Sequence, residues 1–185
     1  MANLIIVSGP SASGKTTLAD RLATDLKFPV VHRDRIKEAM FDTLGYSDRQ
    51  RSKQLGIATA LVTVRELEDI LRNGVSCIVE AKFIPKFSEE ELRRLLDDAK
   101  AGVVQIQCIC DGEVLFERFK QRAISSERHP GHDEANNVDD FKEELLAGKL
   151  SYLELSGDVL EYETTQHDED RYQRLFKEVH AKLSA

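Results

Sequence analysis

The chain has 185 residues, 41% of them hydrophobic, with ten glycines, which suits one compact domain with a sizeable core and argues against two independently folding halves. Its charged residues, 32% of the total, are spread along the whole length, and a formal net charge of -7 opposes non-specific binding to duplex nucleic acid, which needs massed Lys and Arg. Cys77, Cys108 and Cys110 lie in apolar runs, an odd set without a CxxC pair that argues against a disulfide framework or zinc site and fits a reducing cytosol; no run is long enough for a signal or membrane segment, so a cytoplasmic protein is expected.

Residues 3–8 are almost all apolar and end at Gly9, as expected of a strand buried on both faces of a parallel sheet. Leu18, Leu22 and Leu26 then recur at helical spacing, and residues 28–32 return to strand character. Ile36, Met40 and Leu44 mark a second helix closed by Gly45; Ile57, Leu61, Val64 and Leu71 mark the apolar face of a longer third, which stops at Asn73-Gly74. Residues 75–80 form the third strand, and Ser88 to Glu91 offer a capping box before a helix carrying Leu92, Leu95, Leu96 and Ala99. Residues 103–110 are the fourth strand, and Asp111 caps a helix that turns Leu115 and Phe119 inward. A stretch dense in Arg, His, Pro and Gly, residues 125–137, reads as a mobile excursion. Phe141, Leu145 and Leu146 suggest a short helix, residues 158–162 a fifth strand, and Tyr172, Leu175, Phe176, Val179 and Leu183 a terminal helix. Strands alternating with helices indicate an α/β sandwich around a mainly parallel sheet in a single domain, residues 1–185.

Gly9-Pro10-Ser11-Ala12-Ser13-Gly14-Lys15-Thr16 matches GxxxxGK[ST] in full, after a buried strand and at the start of a helix. The glycines let backbone N–H groups wrap a phosphate chain while the helix N-terminus adds its positive end; Lys15 reaches the outer phosphates and the Thr16 hydroxyl ligates magnesium. Gly9, Ser11, Ala12, Ser13, Gly14, Lys15, Thr16 and the adjoining Thr17 are therefore the candidate nucleotide-binding residues, with ATP and Mg2+ as the co-substrate pair. No Asn-Lys-x-Asp guanine reader is present, and Asp42-Thr-Leu-Gly45 falls inside a helix, which argues against a GTPase. The third strand ends in Val79-Glu80 where a motor or transporter ATPase needs an Asp, leaving small-molecule kinases.

Beyond this loop, four segments stand out: His32-Arg33-Asp34-Arg35-Ile36-Lys37, Val79-Glu80-Ala81-Lys82-Phe83, the pair Arg118 and Arg122, and Arg128-His129-Pro130-Gly131-His132. On these and the loop, the chain resembles the zeta-toxin-like and polynucleotide-kinase-like branch of P-loop kinases, close to chloramphenicol phosphotransferase. The resemblance implies a three-layer P-loop fold with a five-stranded parallel sheet of order 2-3-1-4-5 and a lid at residues 118–137. It implies Asp34 as catalytic base toward an acceptor hydroxyl, Arg122 and Arg128 as lid groups that neutralise the moving phosphate together with Lys15, and Arg118 beside the nucleotide. Lys37 and Glu80 are expected at the acceptor, Glu80 alternatively at a magnesium-bound water, and residues 164–166 near the adenine. Asp34 could equally cap its helix, and Glu80 could pair with Lys82 or an arginine. His129 and His132 are too few for a metal site and shape the lid turn. The expected activity is ATP-dependent phosphorylation of a hydroxyl on a small molecule, with a nucleic-acid 5'-end kinase or a slowly turning regulatory module as the other readings. The acceptor and the oligomeric state are left open.

Overall fold

A computed structural model describes residues 1–126 and 128–183. Residue 127 of the expected lid and residues 184 and 185 lie outside the described residues. The elements run β1 (Asn3–Ser8), α1 (Lys15–Leu26), β2 (Val30–His32), α2 (Arg33–Leu44), α3 (Arg49–Arg72), β3 (Cys77–Glu80), α4 (Pro85–Ala99), β4 (Gly102–Ile109), α5 (Gly112–Ala123), α6 (Asp139–Leu146), β5 (Asp158–Glu163) and α7 (Glu169–Leu183). All strand pairings are parallel and the sheet order is β2-β3-β1-β4-β5, as the resemblance implies.

The unbroken apolar run of β1 follows from burial on both faces. Leu4 and Ile6 pack with α3 and α4 through Leu67, Leu71, Leu92, Leu95 and Leu96. Ile5 and Val7 turn the other way, onto Leu18, Ala19 and Leu22 of α1 and Tyr172, Leu175 and Val179 of α7. These are the outer layers of a three-layer sandwich. A separate cluster of Cys110, Leu115, Phe119 and Leu145 locks α5 to α6. Asp111 caps α5 as expected, its Oδ1 accepting from the Val114 N–H at 3.0 Å.

Three local expectations are corrected. Helix α4 begins at Pro85, so Ser88 lies inside it and makes no cap; proline at the first position supplies the helical φ without needing a hydrogen-bond donor. In α3, Ile57 and Leu61 are exposed, and the buried stripe is Ser52, Leu55, Thr59, Thr63, Leu67 and Leu71. The two threonines satisfy themselves there by donating to Leu55 O at 2.7 Å and Thr59 O at 2.8 Å, so hydroxyl residues occupy a face that hydropathy alone assigns to water. The described part of 125–137 is no free excursion. It forms two short turns, Pro130–His132 and Ala135–Asn137, and Gly131 sits so close on the Phe41 ring that a Cβ would come within 2.6 Å of it.

Candidate active site

β1 delivers the chain to the phosphate-binding loop at the carboxyl edge of the sheet, between β3 and β4. At Gly9 (φ 147°) a Cβ would lie 2.6 Å from the Cys108 carbonyl oxygen, so the loop can start this close to β4 only with bare backbone. Ala12 (φ 64°) and Gly14 (φ 77°) are left-handed, a geometry that turns successive N–H groups into one concavity. Ser13 Oγ is buried without a partner, and Lys15 Nζ folds back to donate to the Pro10 carbonyl at 2.7 Å. Desolvation lowers the Lys15 pKa, and Glu80 is the foremost of the charges that oppose this. Thr16 and Thr17 are exposed in the first turn of α1. An oxyanion chain with a hard divalent cation fits this donor set: loop amides and the Lys15 ammonium for phosphate oxygens, the Thr16 hydroxyl for the metal.

The facing wall is the start of α2. His32 is its N-cap, with no capping bond from its side chain, so Asp34 is not the cap, and the half-exposed Asp34 carboxylate looks into the cleft. Arg128 Nη1 donates to Asp34 Oδ2 at 3.0 Å. Desolvation would raise the Asp34 carboxyl, but the charges of Arg128, His132 and Lys15 and the bond from Arg128 hold it well below the usual carboxylate range.

The third wall is the last turn of α5 and the segment after it. Arg122 Nη2 donates to both oxygens of Glu134 at 3.0 Å, and Arg128 Nη2 donates to Glu134 Oε1 at 2.6 Å. Glu134 is 5% exposed, and although burial works against its ionised form, the two arginines keep its pKa lowered. Among the described residues the Nε atoms of Arg122 and Arg128 are both buried without a hydrogen-bond partner. Docking onto α2 is through rings and hydrogen bonds: His129 stacks on Phe41 at 5.1 Å and meets Asp42 at 3.1 Å, and His132 lies 2.9 Å from Glu38.

Together these walls enclose a cleft of about 440 Å³ into which Ser11, Lys15, Thr16, Asp34, Lys37, Glu80, Arg122 and Arg128 all open. Arg118 is not among them. Its guanidinium donates to Thr164 O at 2.9 Å and Thr165 O at 2.7 Å, tying α5 to the loop after β5, and neither it nor Arg122 pairs with Glu117, which is held by Lys120. Glu80 pairs with neither Lys82 nor an arginine: β2 sets it beside His32, whose Nδ1 is 3.2 Å from Glu80 Oε2, while Lys82 bonds Glu144 at 2.6 Å. His32 Nε2 reaches Asp20 at 2.8 Å, and despite desolvation the two carboxylates raise its pKa.

Sequence reasoning missed Glu134 and the bridging role of His32. The available signal was charge balance, since two buried lid arginines require an acid and Asp133-Glu134 follows directly. Among the described residues no cluster of three or more metal-ligating side chains occurs. Burial pushes the Cys77 and Cys108 thiols up to about 12, which leaves them inert. No described helix is long and apolar enough to cross a membrane.

A family profile described as AAA domain matches residues 4–145. A solved structure of a candidate kinase from Chloroflexus aurantiacus superposes with a TM-score of 0.89 at 35% identity, covering 98% of each chain. Shikimate kinase from Aquifex aeolicus shares the fold at a TM-score of 0.52 and 16% identity, covering 99% of both chains. A probable adenylyl-sulfate kinase of Pyrococcus abyssi is 30% identical over 102 residues, which is 50% of this chain and 56% of that protein, so the chain spans little more than half of that curated relative.

Proposed function

The chain belongs to the AAA domain family and has the fold of a P-loop kinase, and from that premise we propose that it transfers the γ-phosphate of ATP to a hydroxyl group of a small molecule. The observation that carries this reading is that Lys15 and Thr16, Asp34, and Arg122 with Arg128 come from three separate parts of the chain and open into one cleft. A slow nucleotide-binding regulator has no need of a carboxylate held opposite its phosphate loop.

Magnesium, when bound, would offset the charge of the donor phosphates. The loop amides and Lys15 hold the donor phosphates, and the Thr16 hydroxyl is the protein ligand placed for the metal. Asp34 accepts a hydrogen bond from the acceptor hydroxyl and fixes it in line. Because its pKa is held low, it takes the proton only late, when the acceptor oxygen is bonding to phosphorus and that proton has become strongly acidic. Arg122 and Arg128, which both open into the cleft, offset the charge that develops on the transferring group, and the docked lid keeps water out. Lys37 and Glu80 border the acceptor side.

The test is ATP consumption by the purified protein with magnesium and a panel of hydroxyl-bearing metabolites, with Lys15→Ala and Asp34→Asn as controls. The reading expects acceptor-stimulated ADP release that both substitutions abolish while MgATP binding survives Asp34→Asn. It fails if stimulated turnover persists unchanged in Asp34→Asn.

A further inference from the structure

Four apolar side chains of α3 serve neither the core nor the cleft. Ile57 is 75% exposed, and Ala58, Leu61 and Val62 are exposed with it. None of the four lines the cleft. Positions 57, 58, 61 and 62 adjoin on a helix surface, so they form one patch at the middle of the 24-residue α3. Ala60 and Val64 carry it into a crevice shared with Phe87 of α4, which is 71% exposed. A contiguous apolar patch with a charged rim is the mark of a surface that another molecule covers.

The charges on either side of the patch say what covers it. The first turns of α3 carry Arg49, Arg51 and Lys53 without an acid, and the last turns carry Glu66, Glu68 and Asp69 beside Arg65 and Arg72. Arg49 pairs with Asp140, and Arg65 and Arg72 both pair with Glu68. Arg51, Lys53, Glu66 and Asp69 make no ion pair among the described residues; the Arg51 guanidinium donates to the neutral Leu44 carbonyl at 3.1 Å. A cation in the first turn and an acid in the last oppose the dipole of their own helix. Arg51 and Asp69 are 18 residues apart (51 to 69), about five full turns, so they project from the same side of α3, with Ala60 midway. A second α3 laid antiparallel, with the two-fold axis beside Ala60, sets Arg51 of each copy against Asp69 of the other and patch against patch. It also brings opposite ends of two helix dipoles together, whereas a parallel pair sets cation on cation.

We propose that the chain forms a two-fold dimer through antiparallel α3 helices, with Ile57, Ala58, Leu61 and Val62 at the centre and Arg51 paired with Asp69 toward each end. The occupant is a second copy because the surface is complementary to itself, as a two-fold interface requires. Local complementarity is needed, since copies carrying a net charge of -7 repel each other at longer range. The dimer does not depend on the kinase reading.

Sedimentation velocity of the full chain without nucleotide, over about 1–100 μM, follows the wild type, Leu61→Glu, Arg51→Glu, Asp69→Arg and the double variant Arg51→Glu/Asp69→Arg. Leu61 and Asp69 are exposed and Arg51 partly so, and melting curves verify that each variant keeps its fold. The wild type is expected to dimerise within this range. Leu61→Glu, which turns carboxylates toward each other across the axis, weakens the dimer by about thirtyfold or more. Each single charge reversal weakens it about five- to tenfold, and the double reversal, which keeps opposite signs face to face, restores it to within about twofold of the wild type. A dimer unaffected by Leu61→Glu, or not restored by the double reversal, overturns the antiparallel interface. A chain that stays monomeric at about 100 μM overturns it as well and leaves the patch to a different protein.

Discussion

The two sides of the cleft are built on different principles. The phosphate loop is eight contiguous residues whose ligands are mostly backbone, kept in shape by left-handed Ala12 and Gly14 and by the bare Gly9 against β4. The facing side is assembled from side chains far apart in sequence: Arg128 reaches Asp34 across 94 residues, and buried Glu134 gathers Arg122 and Arg128. A backbone site is specified locally and resists side-chain change, whereas a charge network depends on every member being present.

The largest separation of the two sides should come from Asp34→Asn. Acceptor-stimulated turnover falls by about 10²- to 10⁴-fold with the KM for ATP nearly unchanged, measured by coupled ADP release. Glu134→Ala comes next: removing the buried acid leaves the Arg122 guanidinium uncompensated and Arg128 with only its α2 carboxylates, a loss of about 3 kcal/mol in denaturant unfolding, accompanied by faster hydrogen exchange in residues 128–137. Unchanged exchange there would mean that the lid is held by its ring contacts with Phe41 rather than by charge. On the loop side, Gly9→Ala forces a methyl into the Cys108 carbonyl, with a cost of about 1–3 kcal/mol and weakened MgATP binding by calorimetry.

His32 links the two sides by pH. Its folded pKa is raised above an unfolded value of about 6.5, so its contribution to stability is complete below that pH and fades as pH rises through the folded value. A melting series should therefore show wild-type stability dropping above about pH 6.5 relative to His32→Gln, which lacks that slope. The smallest effect is Gly56→Ala, expected to stabilise the fold by up to about 1 kcal/mol; a destabilised protein would mean that the edge of α3 is needed for packing.

Much of this molecule could be read from residue order. The elements of the sandwich followed from apolar patterning because the central strands are apolar on both faces, as in β1, and most helices bury one face at 3.6-residue spacing, as in α5 and α7. Periodicity failed in α3, where Ile57 and Leu61 face out and the buried Thr59 and Thr63 satisfy their hydroxyls on their own helix. The capping pattern at Ser88 failed because Pro85 starts α4 earlier.

By itself the sequence determined the phosphate-binding loop and its strand-to-helix setting, because that site is made of neighbours along the chain and its geometry is enforced by glycines and a helix start. Only the tertiary structure decided that Arg128 sits on Asp34, that Glu80 belongs to His32, that Arg118 ties down the loop after β5, and that Arg33 and Lys37 meet at Gly56. Those partners are chosen by how helices and the lid pack over the sheet edge. A charged residue read along the chain shows its sign but not the group that neutralises it.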